Sequence, residues 1–299
     1  MNDRKQHVIK MAHQLFTDKG FQNTSIQDIL DYSGISKGTF YNYFSSKNEL
    51  LITLIKTIYK QLEQDRNELL IGQDPSDIDV FIKQIELHLN TNRANKLISL
   101  FEEVLILNDA DLKQFIKQGQ MRILHWLFLR FIDIFGENKR PCLLDCAIMF
   151  MGILHQNLKY QAIVPESNAS INQIVRYSVE RIMKMVEEVS QSGDQLIPPE
   201  LLDHWLPDSK NPGPAFQQQL YHTVLTLKKQ IKNNNEESKY LDLLDFVQEE
   251  LLNSKEPRKF LVESALLSLK GCEPSFEQEI LQNLERLVAV FFSQIEETS

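Results

Sequence analysis

The sequence predicts an all-α protein, and three observations carry that prediction. Apolar residues recur at helical spacing along almost the whole chain. No stretch of strict apolar–polar alternation competes with them, so no half-buried strand is expected. Glycine and proline stand at 10 each in 299 residues, too few for the many turns of an all-β fold.

The elements follow in order. Val8, Ala12, Leu15 and Phe16 form the stripe of a first helix, and Ile26, Ile29 and Leu30 that of a short second one. Thr24 with Gln27 three residues on predicts a capping box at the second helix, and Ser46 with Glu49 predicts another at the fourth. Between them Gly34 stands where a helix end calls for a left-handed residue. Ile35 can plug the junction, and Ser36 can cap a third helix of about two turns. Leu51, Leu54, Ile55, Ile58 and Leu62 mark the fourth helix.

Residues 75–135 read as two or three further helices, with Pro75 near the start of the first and Asn108-Asp109-Ala110-Asp111 as a break. Pro141 opens a helix through Leu143, Leu144, Ala147, Ile148, Met151, Leu154 and Leu158. The cleanest stripe is Ile171, Ile174, Val175, Ser178, Val179, Ile182, Val186 and Val189. The stretch "SQSGDQLIPPELLDHWLPDSKNPGP" then holds half of the chain's ten prolines and reads as a linker with one short helix around Leu201 to Trp205. Four amphipathic segments follow, near 215–232, 238–253, 257–270 and 275–296.

Composition narrows the function classes. The net charge is −9, which taken alone argues against nucleic acid, but it is uneven. Residues 1–60 hold eight Lys/Arg against five Asp/Glu, a balance of +3 that leaves −12 for the rest. A mildly basic head on an acidic body suits a module for an anionic ligand. The three cysteines, Cys142, Cys146 and Cys272, argue against a disulfide framework. Cys142 and Cys146, four apart on one helix, are expected to be buried structural residues; no neighbouring His set supports a metal site, and none is expected.

The N-terminus has no apolar core of a signal peptide, and the longest apolar stretch, Cys146 to Leu154, falls short of the roughly 20 residues that span a bilayer. A cytoplasmic protein with no membrane role is expected. No G-x-S-x-G, Walker A loop, G-x-G-x-x-G or H-E-x-x-H occurs and the seven His are scattered, so neither an enzyme nor a bound cofactor is expected.

The chemistry concentrates in "GISKGTFYNYFSSKNELL", residues 34–51. A short helix, a Gly-containing turn and another short helix make a helix-turn-helix, whose second helix enters the major groove. Gly38 costs about 1 kcal/mol relative to Ala in a helix interior, and it removes the side chain where a backbone would approach a surface closely. Lys37 and Thr39 can reach base edges or phosphates, and the hydroxyls of Tyr41 and Tyr43 suit phosphate oxygens. Lys47 sits in the first turn of the next helix, itself an anion site. Phe40 and Phe44, four apart, are expected in the core. Tyr41 and Tyr43 also admit a plainer reading as surface aromatics.

The stretch "AHQLFTDKGFQNTSIQDILDYSGISKGTFYNYFSSKNELL" resembles the DNA-binding domain of the tetracycline-repressor (TetR) family, from about Val8 to Ile58. The "LF…KGF…TS" lead-in, the "GISKGTFYNYF" unit and the "SKNELL" entry to the fourth helix carry the resemblance in the family's order. It implies a homodimeric transcriptional regulator, a repressor that binds a palindromic operator on double-stranded DNA through the helix at 36–42. It also implies that Thr24, Ser25, Ser36, Lys37, Gly38, Thr39, Tyr41, Asn42, Tyr43 and Lys47 sit at or near DNA, with Ser36 also a cap and Ser25 a helix start.

In the family two helices pair with their copies in a four-helix dimer interface; here the candidates are 141–160 and 170–189. The resemblance further implies a small-molecule effector held between central helices, for which Phe101, Phe115, Met121, His125, Trp126, Phe128 and Phe131 are candidates, with Phe135 beyond them. An aromatic stripe at helical spacing is more often plain core.

The expected organisation is a helix-turn-helix domain at 1–50, a helical regulatory and dimerisation domain at 51–190, a Pro-rich linker at 191–214 and a helical extension at 215–299. Family members end near where residue 190 falls, so the extension departs from the pattern. It leaves open an alternative in which the C-terminal helices recruit a protein partner while the head localises it on DNA.

Overall fold

The computed structural model describes residues 3–70, 73–106, 109–164, 169–202, 214–231, 237–254, 257–271 and 276–298. Among these there are thirteen α-helices and no strand, as the periodicity predicts. They are α1 (Asp3–Lys19), α2 (Ile26–Ser33), α3 (Lys37–Tyr43), α4 (Lys47–Glu68), α5 (Ile78–Ala94), α6 (Leu97–Ile106), α7 (Ala110–Phe135), α8 (Arg140–Ile163), α9 (Ile171–Ser192), α10 (Pro214–Gln230), α11 (Glu237–Asn253), α12 (Lys259–Lys270) and α13 (Gln278–Thr298). A single 3₁₀ turn, Glu137–Lys139, joins α7 to α8. The chain divides into two compact units: Met1–Arg66 with Pro75–Leu202, and Asn67–Asp74 with Asp203–Ser299.

In the first unit one apolar core runs from the head into the body. Val8, Ala12 and Phe16 of α1, Ile29 of α2, Phe40 of α3 and Leu51 of α4 share it with Leu97 and Leu100 of α6 and Leu112 and Phe115 of α7. Residues 75–135 resolve into three helices. Asp77 caps α5 by accepting the N–H of Asp79 at 2.7 Å, and Asp109 caps α7 by accepting that of Leu112 at 2.8 Å. Asn108, part of the predicted break, lies outside the described residues. Pro141 stands in the first turn of α8, where its missing N–H costs nothing. Ser170 and Gln173 form a capping box on α9 that the sequence pattern had not flagged, and Gly193 ends α9 in the left-handed region at φ 72°.

The apolar stripes of α8 and α9 turn inward. Leu143, Phe150 and Leu154 of α8 and Val175, Val179, Ile182 and Val186 of α9 are buried within the chain, where α8 packs on α7 and α9, and α9 on α5. Neighbouring helices of the same chain thus cover one face of each, and their outward faces are left exposed. The stretch Glu137–Ile163 is long and apolar enough to cross a membrane by length and composition, and one face of it lies in this core.

After α9 the chain folds back along α8. The Asp145 carboxylate accepts the backbone N–H of Leu196 at 2.7 Å and of Ile197 at 3.1 Å. Leu201 and Leu202 are helical as predicted for the short linker helix; its continuation to Trp205 lies outside the described residues.

In the second unit each of α10–α13 packs on two others: α10 on α11 and α13, α12 on α11 and α13. Leu220 and Val224, Leu244 and Val247, Val262 and Leu269, and Leu284 and Phe291 meet in a core of their own. A closed ring of four helices satisfies all four apolar faces at once.

Candidate functional site

The recognition corner is assembled from its turns. Gly20 ends α1 at φ 83°, a conformation that favours glycine. Phe21 then folds back edge-on to Phe16, with ring centroids 5.1 Å apart. Thr24 is buried; its hydroxyl donates to the Gly20 carbonyl at 2.7 Å. The capping box of α2 belongs to Ser25 and Asp28, correcting the expected pairing of Thr24 with Gln27. Ser25 Oγ accepts the Asp28 N–H at 3.0 Å, and Asp28 accepts the Ser25 N–H at 2.8 Å. The buried position of Thr24 moves the cap one residue on and takes its side chain away from any outer surface. Lys19 donates to Asp28 at 2.9 Å. That bond first, then those from Ser25, hold the Asp28 carboxyl well below the usual carboxylate range.

Gly34 ends α2 at φ 67° as the sequence requires, and Leu30 accepts the Ile35 N–H at 3.2 Å. Ser36 caps α3 by accepting the Thr39 N–H at 3.1 Å, and its hydroxyl lies 2.9 Å from that of Thr39. The two faces of α3 then separate. Phe40 and Phe44 are buried, their rings 5.7 Å apart, and Tyr43 is half-buried against the same core. Lys37, Gly38, Tyr41 and Asn42 lie exposed on one outer face with half-buried Thr39 beside them. A Cβ built on Gly38 would meet only Ser36 Oγ, at 3.8 Å, an ordinary contact. Neither backbone angle nor crowding within the chain requires glycine at this position.

Lys47 is placed differently from the sequence reading. Its ammonium donates to the carbonyls of Phe21 at 2.8 Å and Thr24 at 2.7 Å and sits 4.4 Å above the Phe21 ring. Burial lowers its pKa, against the pull of Glu103 and Asp28. Lys47 therefore braces the α1–α2 corner from the start of α4. Ser46 caps α4 as predicted by accepting the Glu49 N–H at 3.1 Å, while Glu49 reaches back to the N–H of Ser45 rather than Ser46. Lys19 and Asp28, which the pattern reading overlooked, lock the start of α2. A Ser-x-x-Asp reading of the same stretch would have found Asp28.

The seven effector candidates fall in three different surroundings. Phe101 and Phe115 join the core shared with the head. Phe131 is wholly buried, its ring 5.8 Å from those of Phe81 and Phe150, and Phe128 is buried beneath Arg140. Met121, His125 and Trp126 are half-buried, with the Arg66 guanidinium 4.1 Å over the Trp126 ring. Residues not singled out from the sequence lie between α4 and α5: Tyr59 donates to Asn92 Oδ1 at 3.3 Å, and Asn92 is bonded to His88 at 3.1 Å. Loss of water around the ring, then the charge of Arg66, pushes the His88 pKa down to about 4, so its imidazole is neutral at pH 7.

Among the described residues no group of three or more His, Cys, Asp or Glu is placed to hold a metal ion. Cys142 and Cys146 are free and buried, and burial first, then Cys142, pushes the Cys146 thiol up to about 12. Cys272 lies outside the described residues.

Comparison with known proteins agrees with this geometry. Residues 8–54 match the family model described as bacterial regulatory proteins, tetR family. The uncharacterized HTH-type transcriptional regulator YerO of Bacillus subtilis is 29% identical over 302 residues, spanning 98% of this chain and 96% of the relative. The uncharacterized HTH-type regulator YuxN of the same organism is 26% identical over 198 residues, 65% of this chain and 67% of YuxN. The HTH-type transcriptional regulator EthR of Mycobacterium tuberculosis is 32% identical over 78 residues, 26% of this chain and 35% of EthR. No solved structure matches. The similarity to YerO runs through the C-terminal helices, so the extension is shared with another regulator. Its capped helix-turn-helix is a DNA-binding domain of the tetR family type, and the chain is a transcriptional regulator of the kind that carries it.

Proposed function

We propose that this regulator is a homodimeric cytoplasmic repressor that lays α3 into the major groove of each half of a palindromic operator. One observation carries the reading. Gly38 lies on the exposed face of α3, and nothing inside the chain excludes a larger residue there. A bare helix position that the fold does not need is accounted for by a surface brought close from outside. Lys37 and Asn42 beside it supply a charge and an amide for phosphates and base edges, and Tyr41 supplies a hydroxyl. Ser36 and Ser25 act first as caps, and Thr24 and Lys47 support the corner from within.

Dimerisation is supported by what α8 and α9 leave outside. Ile148, Tyr160, Ile163, Tyr177 and Met183 are exposed on the two helices, and Gly152, Ile153, Tyr177 and Met185, with Gln156, Asn157, Arg181 and Lys184, line an open groove of about 640 Å³. A Cβ on Gly152 would meet nothing within 4 Å. An exposed glycine in the interior of a long helix, in the lining of this mostly apolar groove, suits close approach of a second copy. Two recognition helices related by a twofold would then meet half-sites about 34–36 Å apart or a multiple of that.

For the effector, the candidates are the half-buried Met121, His125 and Trp126 of α7, where the Arg66 guanidinium that covers Trp126 also acts on Tyr59 and His88. A small molecule bound there would shift the population toward a state whose recognition helices are mis-spaced. The test is selection of duplex DNA by the purified chain, followed by mass measurement of the protein and of its complex. A palindrome bound by two copies supports the reading; a non-symmetric site bound by one copy sinks it. Release of the selected DNA by a small molecule, lost in a Trp126→Ala variant that still binds DNA, is the result expected for the effector site.

A further inference from the structure

α4 starts in the head and ends in the body. Its first residue, Lys47, holds the α1–α2 corner, and its last turn is held by a buried polar network. Gln84 of α5 is fully buried and donates its side-chain N–H to the carbonyl of Arg66 at 2.9 Å. That carbonyl is one of the four that a helix end leaves without an internal partner. The Gln84 carbonyl oxygen accepts from Arg130 Nε of α7 at 2.9 Å. The same guanidinium donates to Asp133 at 2.6 Å and to the Pro75 carbonyl at 2.8 Å. The Arg66 side chain adds a second tie by covering Trp126 of α7.

Arg130 is 3% exposed, so its charge is desolvated at a cost that an apolar residue of similar volume would avoid. Retaining a charged donor here brings geometry rather than stability. It fixes the end of α4 against two other helices through directional bonds. A helix of 22 residues is about 33 Å long, so a tilt of about 6° at one end displaces the other by about 3.4 Å, the rise of one base pair.

We propose that Gln84 and Arg130 are positioning residues for DNA recognition: they set the pitch of α4 and thereby the spacing between the two recognition helices. The inference rests on the homodimer reading above. Gln84→Glu isolates the tie, because a carboxylate keeps the partner of Arg130 but sets an acceptor against the Arg66 carbonyl. Arg130→Lys keeps the charge but cannot reach all its acceptors at once.

The test uses the full chain and the palindrome it selects, in a duplex series with the half-sites moved together or apart by one and two base pairs. Wild-type protein is expected to show one optimal spacing. In either variant that keeps a cooperative thermal transition, discrimination against a one-base-pair change should fall at least about threefold, or the optimum should move. A variant that weakens all duplexes by the same factor, or loss of folding in both variants, makes the network a stability element and overturns the proposal. A flat profile for the wild type defeats the homodimer reading itself, and is recognised by appearing before any substitution is made.

Discussion

Two outward faces of the first unit carry the same backbone device in different chemical surroundings. On α3, Gly38 stands bare among Lys37, Tyr41 and Asn42; on α8, Gly152 stands bare in a mostly apolar groove with Ile153, Tyr177 and Met185, flanked by Arg181 and Lys184. A Cβ at either position meets no crowding within the chain. Each glycine weakens its helix by about 1 kcal/mol relative to alanine, and neither loss is recovered inside one copy of the molecule. The surroundings tell the two apart. A charge, a hydroxyl and an amide fit a phosphate backbone and base edges, whereas a groove whose exposed area is mostly apolar, with Ile153, Tyr177 and Met185 in it, fits another apolar surface.

This comparison can be broken at either face. The largest effect is expected from Gly152→Trp, which should leave the monomer folded yet prevent pairing. Light scattering should report a monomer, and operator affinity should fall by about a hundredfold or more as two linked half-site contacts become one. A dimer that survives this change would remove Gly152 from the interface. Lys37→Ala should weaken operator binding by about tenfold and flatten the dependence of log affinity on log salt by about one unit, read by fluorescence anisotropy across a salt series. An unchanged slope would mean that Lys37 meets no phosphate.

Thr24→Val should behave oppositely. Loss of its hydroxyl bond to Gly20 should lower stability by about 1 kcal/mol in denaturant unfolding, while affinity per folded molecule stays the same. A specific loss of affinity would return Thr24 to the DNA surface.

The smallest effect concerns Asp28. Its pKa in the folded protein lies below the ordinary value, so its ionised form favours the folded state. That contribution is complete at neutral pH, above the unfolded pKa, and is lost as pH falls through the ordinary carboxylate value toward the lowered one. Asp28→Asn should therefore lessen the loss of thermal stability on acidification. A wild-type-like acid profile in that variant would show the Lys19 pair to be idle.

The same contrast shows what a sequence makes legible. The recognition corner could be read almost residue by residue because its signals are local. Gly34 needs its left-handed angle and Ser36 caps the next helix, whatever surrounds them. The cap of α2 was off by one because Thr24 and Ser25 both offer a hydroxyl three residues before a polar partner. Only the packing of Thr24 under the α1–α2 corner decides between them. Lys47 reads from the sequence as part of an anion site because the convergence of two carbonyls from residues 21 and 24 is invisible in one dimension.

The stripes of α8, α9 and α7 show the same limit on a larger scale. Periodicity establishes that a helix buries a face, but not which chain covers it. Val179 and Ile182 are covered from within, and Phe131 belongs to an aromatic cluster with Phe81 and Phe150. The outward residues that support pairing, Tyr160 and Tyr177 among them, stand off the strongest periodicity. The Gln84–Arg130 network was likewise out of reach, since its members are 46 residues apart in the chain.

The central claim is that the glycine of α3 exists for a surface outside the chain. Gly38→Ala tests it with two readings on one protein: thermal unfolding and operator affinity. The expected result is equal or greater stability, by up to about 1 kcal/mol, together with operator binding weakened by about tenfold. Operator binding as tight as that of the wild type would contradict the account.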